Sequence, residues 1–137
     1  MLKEYSYKAR KGAGDGWVLV GDAFGFLDPL YSSGVLLALT SAEMAGDAIA
    51  DALDANDPSE ARLQAWVPMH LKCMERMKRL VCAFYDGLNF GQLVRKHPEK
   101  KHLITDILIG NLTKDEVDDL WPLIDALREE DMALASQ

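Results

Sequence analysis

Two kinds of group capable of ligand chemistry stand close together near the amino end of the chain. The stretch "GWVLVGDAFGFLDPLYSSGV", Gly16 to Val35, runs from an apolar segment through Gly21-Asp22 into a Pro-Ser-Ser-Gly turn and then a long helix. The carboxylate of Asp22 can accept hydrogen bonds from sugar-type hydroxyls. The unpaired backbone N–H groups at the start of the helix that follows Ser33 can hold an anion or a polarised carbonyl. Pro29 stiffens the turn between them, and Gly34 permits close backbone approach. The same turn also reads as a purely structural connection, because many helix starts follow a loop and bind nothing.

Elements must position these groups, and their periodicities are legible. Glu4 to Arg10 alternates Tyr5, Tyr7 and Ala9 with polar residues, the period of a half-exposed strand. Gly12, Gly14 and Gly16 around Asp15 predict a tight turn. Trp17 to Val20 is continuously apolar, as a strand buried on both faces would be. Together these predict a β-hairpin whose second strand ends at Gly21-Asp22. A helix capped by Ser32 or Ser33 follows, with Leu36, Leu37, Thr40, Met44, Asp47 and Ala48 at helical steps, and it ends near Asn56-Asp57-Pro58. Small residues crowd it (Ala38, Ser41, Ala42, Ala45, Gly46, Ala48, Ala50), so another backbone or a ligand can approach closely.

From Pro58-Ser59 a second long helix is expected. Its seam of Leu63, Val67, His70, Met74, Met77, Val81, Phe84 and Leu88 would pack on another helix. His97-Pro98 opens a further helix that closes at Gly110-Asn111. Thr113 and Glu116 form a capping-box pattern ahead of a last one. The expected fold class is mainly α with a short β-hairpin. Residues 1–56 form one unit and 57–137 a helical carboxy-terminal region.

Bulk properties exclude several classes. The chain has 137 residues and a formal net charge of -7, which argues against a general nucleic-acid binder. Its longest hydrophobic run is far too short for a membrane span. With no leader-like amino terminus, the cytoplasm is the expected location. Cys73 and Cys82, nine residues apart in one helix, are too distant for a bridge and read as free thiols. The spacings of His70, His97 and His102 fit no metal motif, and His70 on its apolar seam reads as structural. The basic runs Lys72 to Arg79 and Arg95 to Lys101, and the acidic run Asp115 to Asp131, read as solvated faces.

The segment "GDGWVLVGDAFGFLDPLYSSGV" with "ALTSAEMAGDAI" resembles the second FAD fingerprint of the p-hydroxybenzoate-hydroxylase-like flavoproteins. Within them, "DPLYSSGV" and the later "FYDGLNFGQLVRKHPEKKHLITDILIGNL" look most like the flavin-dependent halogenases and halogenase-like monooxygenases. The likeness runs from about Tyr5 to Trp121. It implies part of an α/β FAD-binding fold plus a helical carboxy-terminal region, in an oxidoreductase that uses reduced flavin and O2 to oxidise an organic substrate or a halide. It further implies FAD contacts at Gly21, Asp22, Pro29, Ser33, Gly34 and Val35, with Asp22 on the ribityl chain and the Pro29–Gly34 turn along the flavin ring. Ser33 and Gly34 become the halide candidates, and Phe26 and Tyr31 the candidates for a substrate pocket.

The departures are equally specific. No Gly-x-Gly-x-x-Gly turn for the ADP half is present, nor the halogenase Trp-x-Trp-x-Ile-Pro motif, nor a lysine in the place of the active-site lysine. No catalytic residue is assigned. The expectation is a carboxy-terminal fragment that alone binds FAD weakly or not at all, with a dinucleotide-binding segment and a flavin reductase as partners. The rival expectation is a small non-catalytic helical module that forms homodimers through the 63–88 seam.

Overall fold

The computed structural model describes residues 6–135, with Tyr5 outside them. Among the described residues there are four two-residue strands, six α-helices and several short 3-10 turns. The strands are β1 (Tyr7–Lys8), β2 (Ala13–Gly14), β3 (Trp17–Val18) and β4 (Gly25–Phe26). The helices are α1 (Gly34–Asp54), α2 (Glu60–Leu63), α3 (Val67–Tyr85), α4 (Phe90–Lys96), α5 (Lys101–Leu108) and α6 (Leu120–Ala135). Two compact units divide inside α3, between Glu75 and Arg76.

The predicted hairpin forms, but with a different return arm. Gly14 faces Trp17 and Ala13 faces Val18, around a turn in which Gly16 takes φ +77°. That left-handed value suits glycine at the second turn position. Pairing then lapses and resumes further out, with Ala9 N–H donating to Phe24 O at 2.7 Å and Lys8 and Tyr7 opposite Gly25 and Phe26. Tyr7–Lys8 therefore pairs with Gly25–Phe26, not with Trp17–Val20. The arm does not end at Gly21-Asp22; it loops out there as a 3-10 turn, Gly21–Ala23, and returns to the ladder. Trp17 is 44% exposed and Val18 to Val20 are half-buried, so the expected two-sided burial is absent. Residues flanked by a single short partner strand have only one neighbour to cover them.

The hairpin is fastened to α2. Asp15 Oδ1 accepts the Glu60 N–H at 2.7 Å, Gly16 N–H donates to Pro58 O at 2.9 Å, and Lys11 pairs with Glu60 at 2.9 Å. Beneath it Ala13, Ala52 and Leu63 form a small core against Val18 and Ile49. A second cluster gathers Phe24, Trp66 and His70, with ring centroids 5.4 to 5.6 Å apart.

Helix α1 buries Leu37, Ser41, Ala45, Ala48 and Ala52. The buried stripe is thus the small-residue side, and Leu36, Thr40 and Met44 are only half-buried while Asp47 is exposed. The long second helix is broken at Gln64–Trp66. Pro68 has no N–H for the Gln64 carbonyl and its ring would clash there, so α3 starts afresh at Val67. Its seam is largely buried in the chain's own packing: Leu63, His70, Met74, Met77, Val81 and Leu88 are each at most 8% exposed, and Phe84 alone is well exposed.

In the carboxy-terminal unit α4 is a separate helix, capped by Asn89 Oδ1, which accepts the Gln92 N–H at 3.1 Å. The capping box at Thr113 does not form. A 3-10 turn, Asp115–Asp119, occupies that place, and α6 begins only at Leu120 because Pro122 must lie within the first helical turn. Arg76 is 2% exposed, contrary to its reading as part of a solvated face. Its guanidinium donates to Asp118 at 2.8 and 2.5 Å and to the Leu112 carbonyl at 2.5 Å, with Asp115 at 3.4 Å. Hydrogen bonding to Asp118 raises its pKa further, against the opposing cost of burial. Arg79 lies over the Trp121 ring at 4.6 Å, and Trp121 Nε1–H donates to Asp118. Among the described residues no helix is long and apolar enough to cross a membrane.

Candidate functional site

The Gly21–Ala23 turn is built by three constraints. Val20 is extended, and Gly21 reverses the chain at φ +55°. A side chain on Gly21 would also meet Ala38 Cβ of α1 at 3.2 Å. The Gly21 N–H donates to Ser41 Oγ at 2.9 Å, and the Tyr7 hydroxyl donates to the Asp22 carbonyl at 2.8 Å. The backbone of the turn is thus held on both sides, while Asp22 itself is exposed. Phe24, immediately after, is 1% exposed and anchors the turn in the aromatic cluster with Trp66 and His70.

The second element is the approach to α1. Asp28 Oδ1 accepts the Leu30 N–H at 3.0 Å and leads into a 3-10 turn, Pro29–Tyr31. The side chain of Pro29 lies outside the described residues. Ser32 takes the left-handed value φ +52°, a strained conformation for a non-glycine residue of the kind that clusters at ligand sites. Ser33 is the N-cap residue, yet its side chain makes no capping hydrogen bond. Its Oγ is buried and unpartnered, in a residue 4% exposed. The first intrahelical donor is Leu37, bonded to Ser33 O at 2.9 Å, so the amides of Gly34, Val35 and Leu36 precede the helical ladder. Open space surrounds Gly34 where a Cβ would stand, and Val35 is 71% exposed.

The structure ties the two predicted groups to one helix. Gly21 and Asp22 rest on α1 at Ala38 and Ser41, while Ser33, Gly34 and Val35 form its start. Ser41 follows Gly34 by seven residues, so the two groups are about 10 Å apart along the axis. Phe26 stacks on Tyr7 with centroids 6.2 Å apart and stands at the foot of the hairpin. Tyr31 is half-buried, and desolvation raises its hydroxyl pKa.

Reading the residues missed Ser41, Tyr7 and Phe24 as site-building groups. Ser41 carried a signal, a hydroxyl on the stripe of Leu37, Ala45 and Ala48 whose burial demands a partner. His70 is buried and its Nδ1 lacks a partner; desolvation lowers its pKa. Among the described residues no three His, Cys, Asp or Glu side chains gather as a metal site would require. An apolar cavity of about 180 Å³ lies elsewhere, lined by Trp17, Val18, Ile49, Leu53, Pro58 and Leu63, and carries no titratable group.

Comparison with known proteins bears on what this arrangement belongs to. No family model matches the chain. A flavin-dependent halogenase from Armillaria mellea, armH5, is 32% identical over 109 residues, 79% of this chain and 19% of that protein. A 1H-pyrrole-2-carbonyl-[peptidyl-carrier protein] brominase from Pseudoalteromonas luteoviolacea is 45% identical over 56 residues, 41% of this chain and 14% of the brominase. The corresponding chlorinase from Pseudomonas fluorescens is 35% identical over 82 residues, 60% of this chain and 18% of the chlorinase. The chain spans less than a fifth of the length of these relatives. The mainly helical fold, the Gly-Asp turn held against α1 and these matches agree: the chain is related to the flavin-dependent halogenases.

Proposed function

We propose that this chain supplies the flavin-facing wall of an FAD-dependent oxidoreductase, halogenase-like or monooxygenase-like. The observation that carries the reading is the pairing, on one helix, of an exposed carboxylate at Asp22 with the uncapped start of α1 beside a buried, unpartnered Ser33 hydroxyl. These residues fit FAD as donors and acceptors of complementary kinds. Asp22 would accept from the ribityl hydroxyls, with Gly21 beside it, and the Pro29–Gly34 turn would lie along the flavin ring, with Val35 following it. The partial positive charge at the start of α1 favours negative charge on whatever sits there. The amides at Ser33 and Gly34 also suit a halide. Reduced flavin, when bound, supplies the electrons with which O2 is activated toward substrate or halide.

The residues of this chain bind and orient; none of them moves a proton in the reading. Phe26 and Tyr31 would border the substrate. Residues 1–56 serve as the partial FAD-binding unit and 57–137 as the helical region. A dinucleotide-binding segment, for the ADP half, and a flavin reductase complete the system. The relatives named for carrier-protein-bound pyrrole make such acyl groups one substrate class to try.

A chimera tests the reading: this chain replaces the matched segment of the Armillaria mellea relative, and bound FAD is measured after desalting. A folded chimera that keeps its yellow colour supports the proposal. A folded but colourless one, with circular dichroism like that of the relative, overturns it.

A further inference from the structure

The Gly21–Ala23 turn is closed by a single backbone hydrogen bond of its own, Phe24 N–H to Gly21 O at 3.0 Å, and the further way it is held assigns a role to a residue outside the loop. Ser41 sits in the middle of α1, in its third turn from Ser33, and is 0% exposed. Its hydroxyl both accepts and donates: it accepts the Gly21 N–H at 2.9 Å and donates to the Ala38 carbonyl at 2.8 Å. A buried serine at such a place is not required by the helix, since alanine has higher helix propensity and fills the same stripe at Ala45 and Ala48. What the hydroxyl provides is an acceptor for one amide of the loop, at the residue where the chain turns left-handed.

The consequence falls on Asp22. The Val20–Gly21 peptide is held at the Gly21 N–H by Ser41, the Gly21–Asp22 peptide at its carbonyl by the Phe24 N–H at 3.0 Å, and the Asp22–Ala23 peptide at its carbonyl by Tyr7, so the backbone entering and leaving Asp22 is fixed. The Asp22 side chain itself is exposed. We infer that Ser41 is a positioning residue for ligand binding: it fixes the Gly21–Ala23 turn so that the Asp22 carboxylate is presented, pre-oriented, to the hydroxyls of the bound cofactor. The role rests on the flavin reading above and deepens it. Preorganisation of this kind raises affinity by removing the ordering cost from the binding step.

Two measurements test it, and they separate its failure from that of the flavin reading. In the full 137-residue chain, amide hydrogen exchange by NMR follows Gly21 directly. Ser41→Ala should speed exchange at Gly21 by about tenfold, the weight of one hydrogen bond, while Ala45 in the same helix stays protected. Unchanged exchange at Gly21 overturns the clamp whatever the ligand is. Tyr7→Phe, at a residue 53% exposed, provides a second variant that leaves the core intact and should loosen the turn at Asp22 instead.

In the chimera, Ser41→Ala should weaken FAD binding by about tenfold. The loss should vanish in the Asp22→Ala background, because Ser41 acts through Asp22. Additive losses mean that Ser41 is only structural, and the positioning role is then wrong. If Asp22→Ala alone leaves FAD affinity unchanged, the Asp22 contact and the positioning role both fall, while the exchange result still reports whether Ser41 holds the turn.

Discussion

In the carboxy-terminal unit six long basic side chains find carboxylates. Arg76 joins Asp118 and Asp115, Arg79 joins Asp125, Lys100 joins Asp119, Lys114 joins Asp106, and Lys96 and Arg128 reach Glu130 and Asp86. The amino-terminal unit has ion pairs too, Lys11 with Glu60 and Arg62 with Asp57, but its buried polar groups differ. There the hydroxyl of Ser33, the indole N–H of Trp66 and Nδ1 of His70 are buried without partners, and Asp22 is exposed at the end of a clamped turn. Apolar residues on α1 point outward as well, with Val35, Leu39 and Leu53 each more than 60% exposed. The difference teaches where function belongs. Native structures pair nearly all buried polar groups, so an unpaired one calls for a partner, whether an ordered water or a ligand. By that criterion the unit from Arg76 onward packs on itself, and the amino-terminal unit is where we propose that a ligand acts.

The sharpest way to break the contrast is to disable the carboxy-terminal unit's central pair. Arg76→Met should cost about 3 kcal/mol, the lower range for breaking a buried ion pair, because Asp118 is partly solvated and recovers water. Urea unfolding measures it. A loss below about 1 kcal/mol would put Arg76 among ordinary surface pairs and remove the contrast.

A smaller loss is expected in the other unit. Gly21→Ala forces a side chain into φ +55° and toward Ala38, which should cost about 1–2 kcal/mol. In the FAD-retaining chimera it should also lower affinity. A variant as stable as the parent would show that the turn is not held as described.

His70 separates the units by pH. Its imidazole faces the rings of Phe24 and Trp66, and burial pushes its pKa below the ordinary value of about 6.5. The unfolded chain therefore takes up a proton below about pH 6.5 that the folded chain refuses. Stability is flat above that pH and falls as pH drops below it, by at most about 1.4 kcal/mol per pH unit. His70→Gln should flatten this part of the profile when the two proteins are unfolded in parallel. Identical slopes would mean that His70 is protonated freely in the folded state.

Much of this architecture was legible in the residues, and the misses have physical causes. The strand tendency of the Tyr7 segment and the long helix after Ser33 follow from local pattern, and both form. The pairing of Tyr7 with Phe26 does not follow, because Gly25 and Pro29 make that stretch read as loop, and a strand's partner is chosen by tertiary context. The break before Val67 was written in Pro68, whose effect falls on the preceding turn. Arg76 read as one cation of a solvated run. Its burial depends on Asp118, 42 residues away, which no local period reveals. At the candidate site Asp22, Ser33 and Gly34 stood out by type and spacing, whereas Ser41 passed as one small residue among many. Its hydroxyl matters only because the hairpin returns to it.

The central claim is that Asp22 is a cofactor ligand held ready by the fold. The most direct measurement is the FAD dissociation constant of the chimera against its Asp22→Ala variant, by fluorescence quenching at constant ionic strength. The account predicts about tenfold to hundredfold weaker binding on losing the charge-assisted hydrogen bonds, with folding unchanged. Equal affinities in two equally folded proteins would contradict it.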